Sequence, residues 1–334
     1  VEIGADKPLL LIQVVSDGRI GMENQALGLA EAIARLVPAQ IDVRRIGWRP
    51  LFDRLPSAFK IPAMLDPAAD RPFPAPGEPW PDLWIGTGRA TLPLGLWARA
   101  RSGGRTRVIQ TQDPRWRTAD FDMVIAPRHD GVQGPNVLSI TGSPHRIMPE
   151  RLAEAATAFA ETIDALPHSR VAALIGGRSR SHDLTPVHAR SLADQIAAAI
   201  EATGGSLMLT FSRRTPEDAR MAMTDRLQDL EGLIWDGTGS NPYFAFLAAA
   251  DHILVTEDSA NMAAEAASTG KPVHILPMIA RKPAGKFARL HADLRDRGAA
   301  RPFDGSLEPW TYPPLAETDR AARAIVDRFV SPRA

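Results

Sequence analysis

Short apolar blocks separated by polar, glycine-bearing loops run the length of the chain. Residues 9–15 form a β-rich run that stops at Ser16-Asp17-Gly18, and segment 24–36 then sets Ala26, Leu29, Ala30, Ile33 and Leu36 on one helical face. The unit recurs: 83–85 runs into Gly86-Thr87-Gly88 and an apolar helix, and 107–112 and 123–126 read as further strands. A second series begins at 171–175 and passes through Gly176-Gly177-Arg178-Ser179 into an alanine-rich helix over 186–202. It continues with strands at 207–211, 232–235, 253–255 and 273–276. Apolar strands alternating with helices predict parallel sheets covered on both faces. The expected fold is α/β, with two Rossmann-like open parallel-sheet domains facing a central cleft.

The two series imply an N-terminal domain over 1–148, a linking helix over 149–166 with Pro149 at its start, and a C-terminal domain over 167–314. A last helix, 315–330, lies beyond the final strand and is expected to pack back on the first domain. Residues 61–81 carry seven prolines, which lack the N–H that a ladder needs, so an irregular loop is expected there. Ligands of open parallel sheets sit outside the carboxyl ends of the strands. The loops that follow strands are therefore where the chemistry is expected.

Composition narrows the classes. A length of 334 residues suits two cores, and 39 basic against 39 acidic side chains leave a formal charge of 0, which argues against a nucleic-acid partner. The chain has no cysteine, so disulfides, thiolate nucleophiles and cysteine-ligated metals are excluded. The longest apolar runs, 9–15 and 243–250, are far below the roughly 20 residues of a membrane-spanning helix. The N-terminus shows no basic stretch followed by a long apolar region. A cytoplasmic chain is expected, peripheral at most on the inner face of the membrane. Sequence patterns for a P-loop, a zinc helix and a nucleophile elbow are missing, and Gly86-Thr87-Gly88 lacks the third glycine of a dinucleotide fingerprint. No paired histidines or clustered carboxylates suggest a metal.

The most informative segment is Thr256-Glu257-Asp258-Ser259-Ala260-Asn261-Met262-Ala263-Ala264-Glu265, followed by Thr269-Gly270-Lys271-Pro272-Val273. A strand ends, a polar loop opens a helix whose first N–H groups can hold an anion, and Glu265 follows about two turns in, where it can accept from a ribose diol. The alternative is an ordinary N-cap by Asp258 or Ser259 with Glu265 solvated. Ser212 and Arg213 follow another strand, where a guanidinium suits either a diphosphate or a solvated turn. Asn241 and Tyr243 precede an apolar helix and are expected to shape the donor pocket, although Asn241-Pro242 also suits an ordinary helix start. In the first domain, the loop after the first strand holds Asp17, Gly18, Gly21, Glu23 and Asn24. Asp17 is the nearest base for an acceptor hydroxyl, or else an Asx-turn residue. Glu23 is a poorer base because it also suits the first helical turn. Asp113 and Arg115 follow a strand and should reach the cleft, although Asp113 also suits a proline turn. His145 adjoins the expected hinge and could approach a phosphate.

The strand, the small-residue helix start, Glu265, four residues, Gly270, one residue and Pro272 resemble the nucleotide-sugar half of GT-B glycosyltransferases. That resemblance implies that Glu265 holds the nucleotide ribose. It also implies that Gly176, Gly177, Arg178 and Ser259 lie near the donor diphosphate. A closer likeness covers nearly the whole chain: residues 16–29, 110–115, 235–243 and 256–259 resemble the mitochondrial-fission Elm-type family, whose bacterial members are GT-B-like. The GT-B resemblance, and not the Elm-type one, implies a nucleotide sugar as donor, UDP-linked, a glycan or lipid as acceptor, and no separate cofactor. Two alternatives share the fold, a nucleotide-sugar 2-epimerase and a non-catalytic recruitment protein. Met22 supports the second, because it stands where the peptidoglycan GT-B enzyme carries a candidate base histidine, and a thioether takes no proton at neutral pH. Segment 44–60 interleaves Arg44, Arg45, Trp48, Arg49, Leu51, Phe52, Arg54, Phe59 and Lys60. That composition suits an anionic membrane surface, or ordinary packing beneath arginine stems.

Overall fold

A computed structural model describes residues 9–283 and 285–330. The first eight residues, which a leader peptide would occupy, lie outside that set. The chain divides into two compact units, one reaching to Arg146 and resuming at Ala316, the other Ile147–Leu315.

In the first unit β1 (Leu10–Ser16), β2 (Ala39–Arg45), β3 (Leu83–Thr87), β4 (Arg107–Thr111), β5 (Met123–Pro127) and β6 (Val137–Ile140) form one sheet. Its order is β2-β1-β3-β4-β5-β6, parallel throughout. The period of two in each strand splits the apolar residues between faces. Ile12, Val14, Ile85, Ile109 and Ile125 pack under Leu29 and Ile33 of α1 (Ile20–Ala34). On the other face Val15, Trp84, Val108 and Val124 meet Ile46, Trp48 and, after the short α2 (Pro50–Asp53), Leu92, Leu94 and Ala98 of α3 (Leu92–Arg101). Helix α1 starts at Ile20, so Gly21, Glu23 and Asn24 belong to its first turns and not to a loop.

The second unit opens with α4 (Pro149–Ala158) and α5 (Ala160–Ile163), separated at Phe159. Its strands are β7 (Arg170–Ile175), β8 (His182–Asp183), β9 (Ser206–Phe211), β10 (Gly232–Ile234), β11 (His252–Thr256), β12 (Val273–Leu276), β13 (Ile279–Ala280) and β14 (Ala300–Pro302). The main sheet runs β10-β9-β7-β11-β12-β14, all parallel, while β8 and β13 make a small antiparallel pair. Helices α6 (Pro186–Thr203), α7 (Glu217–Leu227), α8 (Tyr243–Ala249), α9 (Ala260–Ala267) and α10 (Gly285–Asp296) complete the unit. Helix α6 shows why the local sequence folds this way. Thr185 caps it by accepting the His188 N–H, Pro186 occupies its first turn, and Gly204 ends it in the left-handed region at φ 61°. The presumed linking segment packs on α8 inside this unit, which moves the boundary to 146/147.

Helix α11 (Glu317–Ile325), with the wider turn Val326–Val330, places Ala321, Ala322, Ile325 and Val326 in the core beneath α1. Each sheet has one point where the connections change direction, between β1 and β3 in the first unit and between β7 and β11 in the second. At such a point the loops beyond the two strands diverge and leave a crevice at the carboxyl end of the sheet.

Candidate functional site

At the second unit's switch point the ends of β7 and β11 are tied together. The Gly176 N–H donates to Thr256 Oγ1 at 2.7 Å, and the Gly177 N–H to Asp258 Oδ2 at 3.1 Å. The Asp258 side chain is completely buried and meets Arg214 Nη1 at 2.7 Å. Its Oδ1 faces Gly176 and has no hydrogen-bond partner among the described residues. A Cβ on Gly176 would stand 2.0 Å from that oxygen, and one on Gly177 would stand 2.1 Å from the Arg214 carbonyl oxygen. Both glycines are therefore required by the close approach of the chain to itself. The Arg178 N–H donates to the same Arg214 carbonyl at 3.0 Å, so three successive N–H groups of the turn are occupied inside the unit. Asp258, expected beside the ligand, is instead the buried clamp, because its carboxylate is needed to satisfy Gly177 and Arg214.

Ser259 caps α9, with Oγ accepting the Met262 N–H, and Asn261 sits half-buried in the first turn. Ser212 Oγ accepts the Arg214 N–H at 3.2 Å, which shapes the loop after β9. Arg213 of that loop is exposed, and its guanidinium has no hydrogen bond or ion pair among the described residues. The Arg178 side chain is also exposed and is held at 2.8 Å by Asp183. Asn241 Oδ1 accepts the Tyr243 N–H at 3.0 Å and fixes the start of α8. That start matters because the Tyr243 hydroxyl donates to Glu265 Oε2 at 2.5 Å. Burial pushes the Glu265 carboxyl up to about 7, and the bond from Tyr243 opposes that rise. Burial, with the neighbouring carboxylate, pushes the Tyr243 phenol well above its usual range, so it remains a donor. Glu265 is thus neither a solvated residue nor a cap.

In the first unit Asp17 follows β1 at the switch point and is bound by Arg19, at 2.9 Å from Nε and 2.5 Å from Nη2. It lines a cleft of about 870 Å³ with Arg19, Trp48, Asp53, Arg54, Lys60 and Arg89. Gly18, the next residue, turns the chain at φ 77°. Glu23 accepts from Arg45 Nε and Nη2 at 2.8 and 2.9 Å and from Ser16 Oγ at 2.8 Å. The Arg45 guanidinium holds it below the usual carboxylate range, which makes it a fixed strut and a weak base. Asp113 Oδ1 accepts the Arg115 N–H at 2.8 Å in a loop where Gln112, Arg115 and Arg117 all have left-handed φ, an uncommon concentration of non-glycine strain. Met22 packs near this loop, with Gln112 Nε2 3.4 Å from its sulfur. Gly21, Asn24, Asp113, Arg115 and His145 do not line the cleft. His145 is buried, and burial lowers it to about 4, so at neutral pH it carries no charge to offer a phosphate.

Sequence reasoning missed a histidine pair around Glu257. His182 Nε2 lies 3.2 Å from Glu257 Oε1, and His291 Nε2 lies 2.9 Å from the Glu257 carbonyl oxygen. His291 and Glu257 line a cavity of about 400 Å³ with Pro277, Arg295 and Phe303. The only signal for it was Glu257 itself, since His182 stands on a two-residue strand and His291 on a helix that no pattern announced.

The profile of the family described as mitochondrial fission ELM1 matches residues 20–329. The chain belongs to that family. It is 34% identical over 272 residues to the mitochondrial fission protein ELM1 of Arabidopsis thaliana, a match covering 73% of this chain and 63% of that protein. The chain therefore spans less than two thirds of the plant protein's length. Among solved structures, the UDP-GlcNAc 2-epimerase from Methanocaldococcus jannaschii aligns with a TM-score of 0.54 at 13% identity, over 96% of this chain and 100% of that one. Arabidopsis thaliana UGT89C1 complexed with UDP aligns with a TM-score of 0.50 at 14% identity, over 95% and 90% of the two chains. These likenesses concern the fold, and they make this ELM1-family chain a GT-B-fold protein.

In this ELM1-family chain the second unit combines a capped helix start, a free guanidinium at Arg213 and a carboxylate–phenol pair. Chemically, the helix start and the guanidinium each suit an anion, and the carboxylate–phenol pair suits a diol.

Proposed function

We propose that this chain binds a nucleotide sugar, UDP-linked, through its second unit, and transfers the sugar to a glycan or lipid acceptor. The Tyr243–Glu265 pair carries this reading. A half-buried carboxylate with one oxygen bonded to a phenol and Oε1 without a partner among the described residues suits the paired hydroxyls of a ribose. The start of α9, capped by Ser259, presents the positive end of its dipole to a diphosphate, and Arg213 and Arg178 supply charge to it. As the bond to the sugar breaks, the same groups stabilise the departing diphosphate. Asp17 takes the proton of the acceptor hydroxyl, for which it must exchange its bond from Arg19. Glu23 and Asp113 hold backbone and arginine partners and act as positioning groups.

A second reading, binding without turnover, is favoured by the bond between Asp17 and Arg19 together with Met22 at the position of a base. Incubation with a panel of UDP-sugars, with and without lipid and glycan acceptors, separates the readings. Acceptor-dependent release of UDP supports transfer. An epimer formed without acceptor replaces transfer by epimerisation. Nucleotide bound but unchanged across the panel leaves binding alone.

A further inference from the structure

Of the first unit's cleft the proposed transfer uses Asp17 alone, and the cations around it have no part in that reading. The cleft lies at the β1/β3 switch point and carries four cations, Arg19, Arg54, Lys60 and Arg89, against two carboxylates, Asp17 and Asp53. Asp17 is bonded to Arg19, while the guanidinium groups of Arg54 and Arg89 have no hydrogen bond or ion pair among the described residues. In a chain of zero formal charge this local excess of two positive charges must come from placement, and it calls for a compact dianion.

The wall of the cleft is a loop built to hold its shape. Trp48 and Leu65 pair as an antiparallel bridge and close the 16 residues between them. Lys60 is buried inside, with Nζ 2.8 Å from the Asp53 carbonyl oxygen and 4.9 Å from the centre of the Trp48 ring. Trp48 in turn donates to the Ala90 carbonyl at 3.1 Å, and Ser57 to that of Arg89 at 3.0 Å, so the loop is fastened to the segment after β3. Its exposed surface carries an apolar cluster: Leu51, Leu55, Phe59 and Ile61 are 81%, 37%, 67% and 46% exposed, and Leu55 also reaches the cleft. These are four of the ten large exposed hydrophobic side chains of the described residues, within eleven positions. Compact loops with joined ends are common carriers of function, and an apolar cluster beside free arginines is the surface that an anionic lipid complements.

The structure also redistributes the basic segment 44–60 that sequence composition singled out. Trp48 and Lys60 are buried, and Arg44 and Arg45 are tied to Asp42 and Glu23. The free cations next to the apolar cluster are Arg49 and Arg54, joined by Arg89 from outside the segment.

We infer that this cleft is a head-group site for a phosphate-bearing anionic lipid, with Arg54 and Arg89 on the phosphate and Leu51, Leu55 and Phe59 dipping into the bilayer interface. The site does not depend on the nucleotide reading of the second unit, and it gives the chain a membrane-facing end. The test is co-sedimentation of the full chain with phosphatidylcholine vesicles, with and without phosphatidic acid, at fixed salt. Binding only to the phosphatidic acid vesicles is expected. Arg54→Ala with Arg89→Ala should weaken it roughly 25-fold, about fivefold for each charge at the surface. Leu51→Asp with Phe59→Asp should abolish it. All four positions are exposed, and an unchanged melting temperature verifies the fold of each variant. Equal binding to both vesicle types, or arginine variants that bind like the parent, overturns the inference. Calorimetric binding of inorganic diphosphate that depends on Arg54 and Arg89, with no vesicle binding, overturns the lipid and leaves a soluble phosphate ester as the ligand.

Discussion

The Asp258 clamp yields a quantitative prediction about how the second unit is held. Its carboxylate has no exposed surface, accepts the Gly177 N–H and meets Arg214, itself 43% exposed. Removing Arg214 leaves a buried charge without its counterion, a change that costs about 3–5 kcal/mol when both partners are buried. Water reaching Arg214 brings this to about 3 kcal/mol. Removing Asp258 leaves the Gly177 N–H unsatisfied and loses one charge-assisted bond, together about 3 kcal/mol. In a unit of this size each kcal/mol shifts the melting temperature by about 2–4 °C, so Arg214→Ala and Asp258→Ala should each lower it by roughly 6–12 °C. Because the two side chains serve one contact, the double variant should fall little further than either single one. The coupling in the double-mutant cycle should then be about 2–3 kcal/mol. Differential scanning calorimetry of the four proteins checks this. Additive losses, or single losses below about 2 °C, would refute the clamp.

Two further predictions concern pH. Native Glu265 holds its proton to about 7, whereas an unfolded glutamate releases it near 4.3, so the native state binds more protons between those values and stability falls as pH rises through them, by up to about 4 kcal/mol. Glu265→Gln should remove that decline, which urea midpoints at pH 5 and pH 8 will report; parallel pH profiles would contradict it. His274 has the opposite sign. Burial lowers it to about 4 and the unfolded imidazole protonates near 6.5, so its contribution is complete above 6.5 and is lost as pH falls towards 4. Relative to the parent, His274→Gln should lose less stability between pH 7 and pH 5, as read from melting temperatures.

Much of the architecture was legible because central parallel strands must be apolar on both faces. β1, β3, β5, β7 and β11 announce themselves as short, predominantly apolar runs. The unforeseen strands β2, β6 and β14 lie at sheet edges, where solvent admits Gln40, Asp42 and Arg44, and where three or four residues suffice. The start of α1 was misjudged by four residues because Arg19 offers no side-chain cap to mark it. At the site, the prominence of Glu265 was visible from its spacing after Ser259. The Tyr243 contact was not, since it joins two helices 22 residues apart. The Gly176-Gly177 pair was read as a ligand turn. Nothing in one sequence reveals that Asp258 and the Arg214 carbonyl fill the space where its side chains would be. Charge composition likewise hid the first unit's cleft, because balance over the whole chain says nothing about which arginines are left unpaired.

The most direct test of the central claim is calorimetric titration of UDP into the parent chain and into Glu265→Gln at pH 8, where the parent carboxyl is ionised. A ribose held by that carboxylate predicts saturable binding to the parent. Loss of one charge-assisted contact of about 1.5–3 kcal/mol predicts affinity about 10- to 150-fold weaker in the variant, with an unchanged fold. Equal affinity of the two proteins, or no binding of UDP to the parent, would contradict the account.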